Sequence, residues 1–319
     1  MEGSSAPYST IQAAVDAANA GDTIMVDGSN TEYEETFISK RLVLIGPGFW
    51  INDNGLVNEA APSAITKLEI LSAAAGTVIE GFKFDNPSNW GIKINADNCI
   101  VRRCNFYSSG SYKAISFSRD RDSNGNLTGP DPKGAVIHQN FFANSAITTY
   151  ALNELMTNVQ ITNNIFVNNG ASECDIQDIT SSYIAYNTMV GGNSFWTGFA
   201  SIYASTIEHN IVRLIEKEEP NENFRNELIW YPNIHIKDNN EWSDNYEMYN
   251  DFVDYKTDKD IRDAELALTG GKNYGAFAGD SPYVLSGIPA APVIQDLVMP
   301  TTVEKGKKMN VTIKVGIQK

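Results

Sequence analysis

The chain has 319 residues, 42% hydrophobic and 20% charged, which is too apolar for disorder and long for one typical compact domain. It holds no run of about 18 apolar residues that would read as a transmembrane helix. Its 39 acidic against 24 basic side chains leave a formal charge of −15, which repels nucleic-acid backbones and anionic lipid surfaces. Three cysteines (Cys99, Cys104 and Cys174) are too few for a disulfide framework and form no C-x-x-C metal pair. Asparagine is in excess, with 33 residues against 24 glycines.

In chain order, no signal peptide precedes the first patterned segment, which leaves a cytosolic chain and a trimmed mature chain both open. Residues 9–22 read as an amphipathic helix capped by Ser9 or Thr10, with Ile11, Ala14, Val15 and Ala18 on one face and Gly21 at its end. The triplet Ile24-Met25-Val26 then reads as a strand. A short one-faced helix feeding short strands suits a cap on a stack of sheet.

From Thr77 the sequence repeats. TVIEGFKF, CIVRRCNF, AVIHQNFF, VQITNNIF, SYIAYNTM and STIEHNIV, starting at Thr77, Cys99, Ala135, Val159, Ser182 and Ser205, superpose without gaps. Their third positions are Ile79, Val101, Ile137, Ile161, Ile184 and Ile207. Asn140, Asn164, Asn187 and Asn210 share one place, which Phe82 and Cys104 fill in the earlier copies, and a weaker copy at 234–241 adds Asn239. The asparagine steps of 24, 23, 23 and 29 residues are too short for a propeller blade and lack a leucine-rich signature. They fit one coil of a parallel β-solenoid. A second strand column at 68–71, 91–95, 114–118 and 174–177 alternates inward Ile92, Ile94, Ile115, Phe117 and Ile176 with outward Lys93, Ser116 and Asp175 or Gln177. The asparagines are expected to form an internal ladder at bends, and Phe84, Phe106, Phe142 and Phe166 an internal stack.

The opening YSTIQAAVDAANAGDTIMV, then RLVLIGPG, then the I-x-x-N-x-F turns resemble the pectate-lyase-like right-handed parallel β-helix superfamily. The tail YGAFAGDSPYVLSGIPAAPVIQDLVMP is similar to the end of secreted Bacteroidetes-type β-helix proteins of uncharacterised function. The resemblance implies export, with the signal removed, and an all-β right-handed parallel β-helix with an N-terminal capping helix and an irregular C-terminal cap. The segments are then 1–23 (helix), 24–245 (coils), 246–289 (cap) and 290–319 (a strand pair or the start of a further module). It also implies a carbohydrate-active protein with a polysaccharide or oligosaccharide partner. Hydrolases of the superfamily carry N-T-D, D-D and G-H-G segments; this chain has no adjacent Asp-Asp and no Gly-His-Gly. Nor does it show the two Asp and one Arg of the methylesterases. A polysaccharide lyase is the leading expectation, ahead of a non-catalytic glycan-binding module and a glycoside hydrolase.

The sharpest local motif is DRDSNGNLTGPD at residues 120–131. Asp120, Asp122, Asn124, Asn126 and Asp131 fall at positions 1, 3, 5, 7 and 12 of an EF-hand-type loop, with Gly125 at 6, so this segment is a candidate Ca²⁺ site. An Asp stands at 12 where Glu is usual, and the neighbours read as strand rather than helix. Rung order places outward Lys93 next to this loop and its Arg119 and Arg121, with Asp175 further along the column. For a lyase, Lys93 is the candidate base, with calcium and arginine neutralising a uronate. For a hydrolase, Asp175 with Asp178 or Glu154 is the candidate pair. His138 is a further catalytic candidate, expected beside Arg102 on the neighbouring rung, as Tyr186 is beside His209. The acidic, aromatic stretch 241–262, with Trp242, Tyr246, Tyr249, Phe252 and Tyr255, reads as a cover over the open end of the stack, with a sugar-stacking platform as the alternative.

Overall fold

The computed structural model describes residues 6–50, 61–85, 89–149, 152, 155–167, 175–190, 198–214, 229–230, 234–237, 256–289, 293–298 and 312–316. Asn239, Glu154, Cys174, the charged stretch 216–226 and the aromatics at 242–255 lie outside them.

Short runs of β-branched residues between bends make three-residue strands, and these pair only with their copies one repeat away. Among the described residues, eight such strands and the two-residue strand Ile229–Trp230 form one parallel sheet. Its register sets Leu44, Ile79, Val101, Ile137, Ile161, Ile184 and Ile207 opposite one another, all fully buried. The repeat read from sequence is therefore the rung of this sheet. A second, thirteen-stranded sheet is also parallel along its main path. It has two arms, one through Lys83–Asp85 and Ile165–Val167, the other through Leu68–Ile70 and Trp90–Ile94. The arms run together in the long strands Asn105–Phe117 and Phe141–Thr149. Parallel neighbours need a crossover, and here the strands of one sheet serve as crossovers for the other. The chain is thus all-β with two large parallel sheets, an arrangement consistent with a parallel β-solenoid.

The interior is built from side-chain columns. Phe84, Phe106, Phe142 and Phe166 stack with centroids 4.9, 5.0 and 4.5 Å apart and ring planes within 7°. The asparagines form the expected ladder. Asn140 N donates to Asn164 Oδ1 at 2.9 Å, Asn164 N to Asn187 Oδ1 at 3.0 Å and Asn187 N to Asn210 Oδ1 at 2.9 Å. Each side-chain amide also donates to a carbonyl of the preceding rung: Val101, Ile137, Ile161 and Ile184. The left-handed backbone falls one residue before each ladder asparagine, at Gln139, Asn163, Tyr186 and His209 with φ of 55 to 57°, and likewise before Cys104 and Phe82, at Arg103 with φ 54° and Gly81 with φ 79°. The ladder side chain holds the bend, while its predecessor makes it and points outward.

Helix α1 (Ile11–Ala17) is shorter than the pattern suggested, because the chain leaves the helix at Ala18. Thr10 caps it by accepting from Ala13 N, and Ile11 and Val15 enter the main core. Its Gln12 side chain accepts from Phe37 N at 2.8 Å and donates to Phe37 O, occupying the edge of the first strand in the second sheet. That amide replaces a missing strand and blunts an open edge.

Helix α2 (Asp258–Thr269) starts in a Thr257/Asp260 capping box and stops at left-handed Gly270. With residues 270–289 it forms a strap along the flank of the stack, where an end cap was expected. Ile261, Ala264, Ala276 and Tyr283 pack against Phe141, Ala143, Ile165, Val167 and Val190 on the outside of the second sheet. The left-handed column ties the strap down rung by rung. Asn163 Nδ2 donates to Ala276 O and Ala278 O at 3.0 and 2.8 Å, Gln139 Nε2 to Ser281 O at 3.3 Å, and Arg103 Nη1 to Ile288 O at 3.2 Å. The strap therefore runs back towards the N-terminal rungs.

Candidate functional site

The outward row of the second sheet carries Glu69, Lys93 and Ser116 on successive rungs, as the alternation predicted. Thr148 follows by register, and Gln177 Nε2 donates to Thr148 Oγ1 at 2.8 Å. Lys93 Nζ lies 3.1 Å from Glu69 Oε2 and 4.2 Å from the centroid of Trp90. The ammonium of Lys67 lies 5.3 Å from the same ring. Glu69 Oε1 also accepts from Asn95 Nδ2, which donates in addition to Asp120 Oδ1, both at 2.9 Å. Buried Asn95 Oδ1 and Ser116 Oγ, flanking Lys93, have no hydrogen-bond partner among the described residues. Burial of an unmatched oxygen costs about 1–3 kcal/mol, and both of these oxygens can accept a hydrogen bond close to the strand position of Lys93. A separate cavity of about 440 Å³ is lined by Ser29, Glu32, Ala64, Lys83 and Asp85 among others. Burial, and then the Asp85 charge, raise the Glu32 pKa above the usual carboxylate value. Lys83 pairs with Asp85 at 2.8 Å.

The other candidates are placed differently. Asp175 is fully buried and accepts from Gly198 N at 2.7 Å, so Gln177 rather than Asp175 continues the outward row. The reason is the chain path: Ile147 pairs with Ile176, which leaves Asp175 at the strand entry as an acceptor for the next rung. Arg119 reaches Asp131 Oδ1 at 3.3 Å, and Arg121 Nη1 donates to Gly125 O at 2.6 Å. Neither arginine is brought to Lys93 by these contacts. Thr149 Oγ1 donates to Asp178 Oδ2 at 3.3 Å.

Residues 120–131 form a β-hairpin, Asp120 opposite Thr128 and Arg121 opposite Leu127. Its oxygens bond separate partners. Asp120 accepts from Ser72 N and Ser72 Oγ, and Asp122 accepts from Asn124 N and Asn126 N at 2.9 Å. Those bonds hold the Asp122 carboxyl below its usual pKa, while Asp131 faces Arg119. Asn124 thus enters through its backbone N–H, and Asn126 through both its backbone N–H and its side-chain Nδ2, which donates to Asp122 Oδ2 at 3.2 Å. Among the described residues, no group of three or more His, Cys, Asp or Glu side chains is set to hold a metal ion.

His138 is the rung neighbour of Arg102, as expected, and Tyr186 stacks on His209 at 4.8 Å. The His138 ring is clamped between Thr162 (Nδ1 to O 3.1 Å, to Oγ1 2.8 Å) and Ser281 (Nε2 to Oγ 3.0 Å). Burial first, then the Arg103 and Arg102 charges, lower its pKa to about 4. Cys99 and Cys104 are buried thiols pushed up to about 12, the largest cause being burial, so neither is a thiolate nucleophile.

Sequence reasoning missed Lys67, Trp90 and Ser281. Trp90 was hidden by parity: two residues before Ile92 it shares the inward register, but as the first residue of its strand it turns its ring to Lys67 and Lys93 instead. Ser281 carried no local signal, being 143 residues from the histidine it meets. The chain matches no family model, no curated protein and no solved structure.

Proposed function

We propose that the chain is an exported right-handed parallel β-helix of the pectate-lyase-like kind. In this reading α1 caps the coils, and the outer face of the second sheet binds an acidic polysaccharide. The observation that carries it is the Trp90 corner, where two ammoniums lie 4.2 and 5.3 Å from one indole on a polar row that repeats once per rung. Rungs are about 4.8 Å apart, close to the length of one sugar in an extended glycan, so successive rungs can meet successive sugars. Lys67 and Lys93 are the local cations that an anionic polymer would meet on a chain of net charge −15.

Binding is favoured over cleavage, because Lys93 is neutralised by Glu69 and the arginines of the 119–131 loop are spent on Asp131 and Gly125. The second reading, a polysaccharide lyase, rests on the several acids near Lys93, namely Glu69 and Asp120. A screen of polyuronates and neutral glycans separates the two, following retention and the absorbance of 4,5-unsaturated products. Retention without product supports binding, product that disappears in Lys93→Ala supports the lyase, and neither removes both. Calcium enters this proposal on the spacing of residues 120–131 alone. A calcium-titration melt tests it: stabilisation lost in Asp122→Ala supports the site, and no shift in the unmutated chain removes it.

A further inference from the structure

The clamped histidine has a feature that a merely structural side chain does not need. Nδ1 faces the carbonyl oxygen of Thr162 at 3.1 Å and its hydroxyl at 2.8 Å; the carbonyl can only accept, so the tautomer protonated at Nδ1 satisfies both contacts and leaves Nε2 as an acceptor. Nε2 lies 3.0 Å from the hydroxyl of Ser281, which is solvent-exposed on the strap. A hydroxyl on a base that is itself oriented by a third group is the arrangement of an activated nucleophile. We propose that Ser281, His138 and Thr162 form a second site, independent of the glycan reading, that hydrolyses carboxylic esters of small acyl groups. Ser281 is the nucleophile, His138 the general base, and Thr162 the positioning residue that sets the tautomer.

The surroundings fit that chemistry. Gln139, in its left-handed bend, donates through Nε2 to the carbonyls of Ser281 and Pro282, which fixes the nucleophile without touching its hydroxyl. Arg102, opposite His138 in the register, binds Glu80 through Nε and Nη2. In the proposed site its Nη1, outside those contacts, is the donor assigned to the developing oxyanion. In the reaction, Ser281 Oγ bonds to the ester carbonyl carbon and its proton passes to His138 Nε2. The carbon–alkoxy bond then breaks, and Nε2 returns the proton to the departing alcohol. Water attacks the acyl-enzyme, Nε2 takes its proton, and cleavage of the Ser281 ester returns that proton to Oγ and releases the acid. Burial and the two arginines disfavour the imidazolium intermediate, which keeps the base neutral at physiological pH but predicts slow turnover.

The test uses the full chain with p-nitrophenyl acetate and a fluorophosphonate label. The expected result is a covalent adduct on the peptide holding Ser281 and measurable ester hydrolysis, both lost in Ser281→Ala. Hydrolysis should fall about 100-fold or more in His138→Gln. The wild-type rate should rise with pH through about 4, the folded value of His138, rather than through 6.5. No adduct on Ser281 in the wild-type chain, or hydrolysis unchanged in Ser281→Ala, overturns the proposal. Ser281 is exposed, so this second variant folds even where His138→Gln does not.

Discussion

Replacing Glu265 by Gln should make the chain more stable at pH 8 and flatten its pH dependence between pH 4.5 and 7. Glu265 is 1% exposed, between α2 and the outer face of the second sheet. Its carboxylate accepts from Phe277 N at 2.8 Å, Ala276 N at 3.1 Å and the Thr188 hydroxyl, with no cationic partner among the described residues. Burial outweighs those hydrogen bonds and lifts its pKa from 4.5 to about 7. The native state therefore holds this proton more tightly than the unfolded chain does. The contribution is fully present below the unfolded value of 4.5 and is lost as pH rises through about 7. At about 1.4 kcal/mol per pH unit, the loss is on the order of 3 kcal/mol. Glutamine keeps an acceptor for Phe277 N, and Ala276 N retains Thr188 Oγ1 at 2.9 Å, so the amide is tolerated. Urea midpoints of both proteins from pH 4 to 8.5 measure this, and the difference between the curves cancels every other titrating group. A difference that does not change with pH would refute the burial argument.

Other perturbations test the remaining parts of the architecture. His138→Gln should remove the stability lost on acidification between about pH 6.5 and 4, because the native state holds the ring neutral; a variant whose melting curves track wild type across that window contradicts this. Asn164→Ala deletes the acceptor for Asn140 N and the donor to Ile137 O, so urea unfolding should report a loss of about 3 kcal/mol or more. Phe142→Ala, in the middle of the aromatic stack, should cost about 3–5 kcal/mol by the same measurement, whereas Tyr107→Ala, 40% exposed on the neighbouring column, should cost far less.

Architecture was legible where one residue type repeats at one place in every rung. Ile137 opposite Val101 and Ile161, the aromatic stack, and the Asn140–Asn210 ladder all follow from a period visible in the letters, because parallel in-register pairing converts a sequence column directly into a spatial one. The strap was not legible as such. Its contacts join residues more than a hundred positions apart, as between Asn163 and Ala276, and no period marks them. At the candidate site, parity gave the direction of Lys93 and Ser116 correctly, since strand alternation is local. It failed at Asp175, which sits at a strand entry where alternation does not yet apply. The loop at 120–131 shows the limit of spacing as a guide. Asp120 and Asp131 find nearby partners, Ser72 and Arg119, that a linear motif cannot anticipate.

The central claim is that an anionic glycan is held by Lys67, Trp90 and Lys93. Affinity electrophoresis of the native chain through gels containing a polyuronate tests it most directly, with a neutral glycan gel as reference. Retardation in the polyuronate gel alone, relieved by added salt and lost in a Lys67→Ala/Lys93→Ala double variant, is the predicted result. Equal mobility in both gels, or retardation that the double variant retains, would contradict the account.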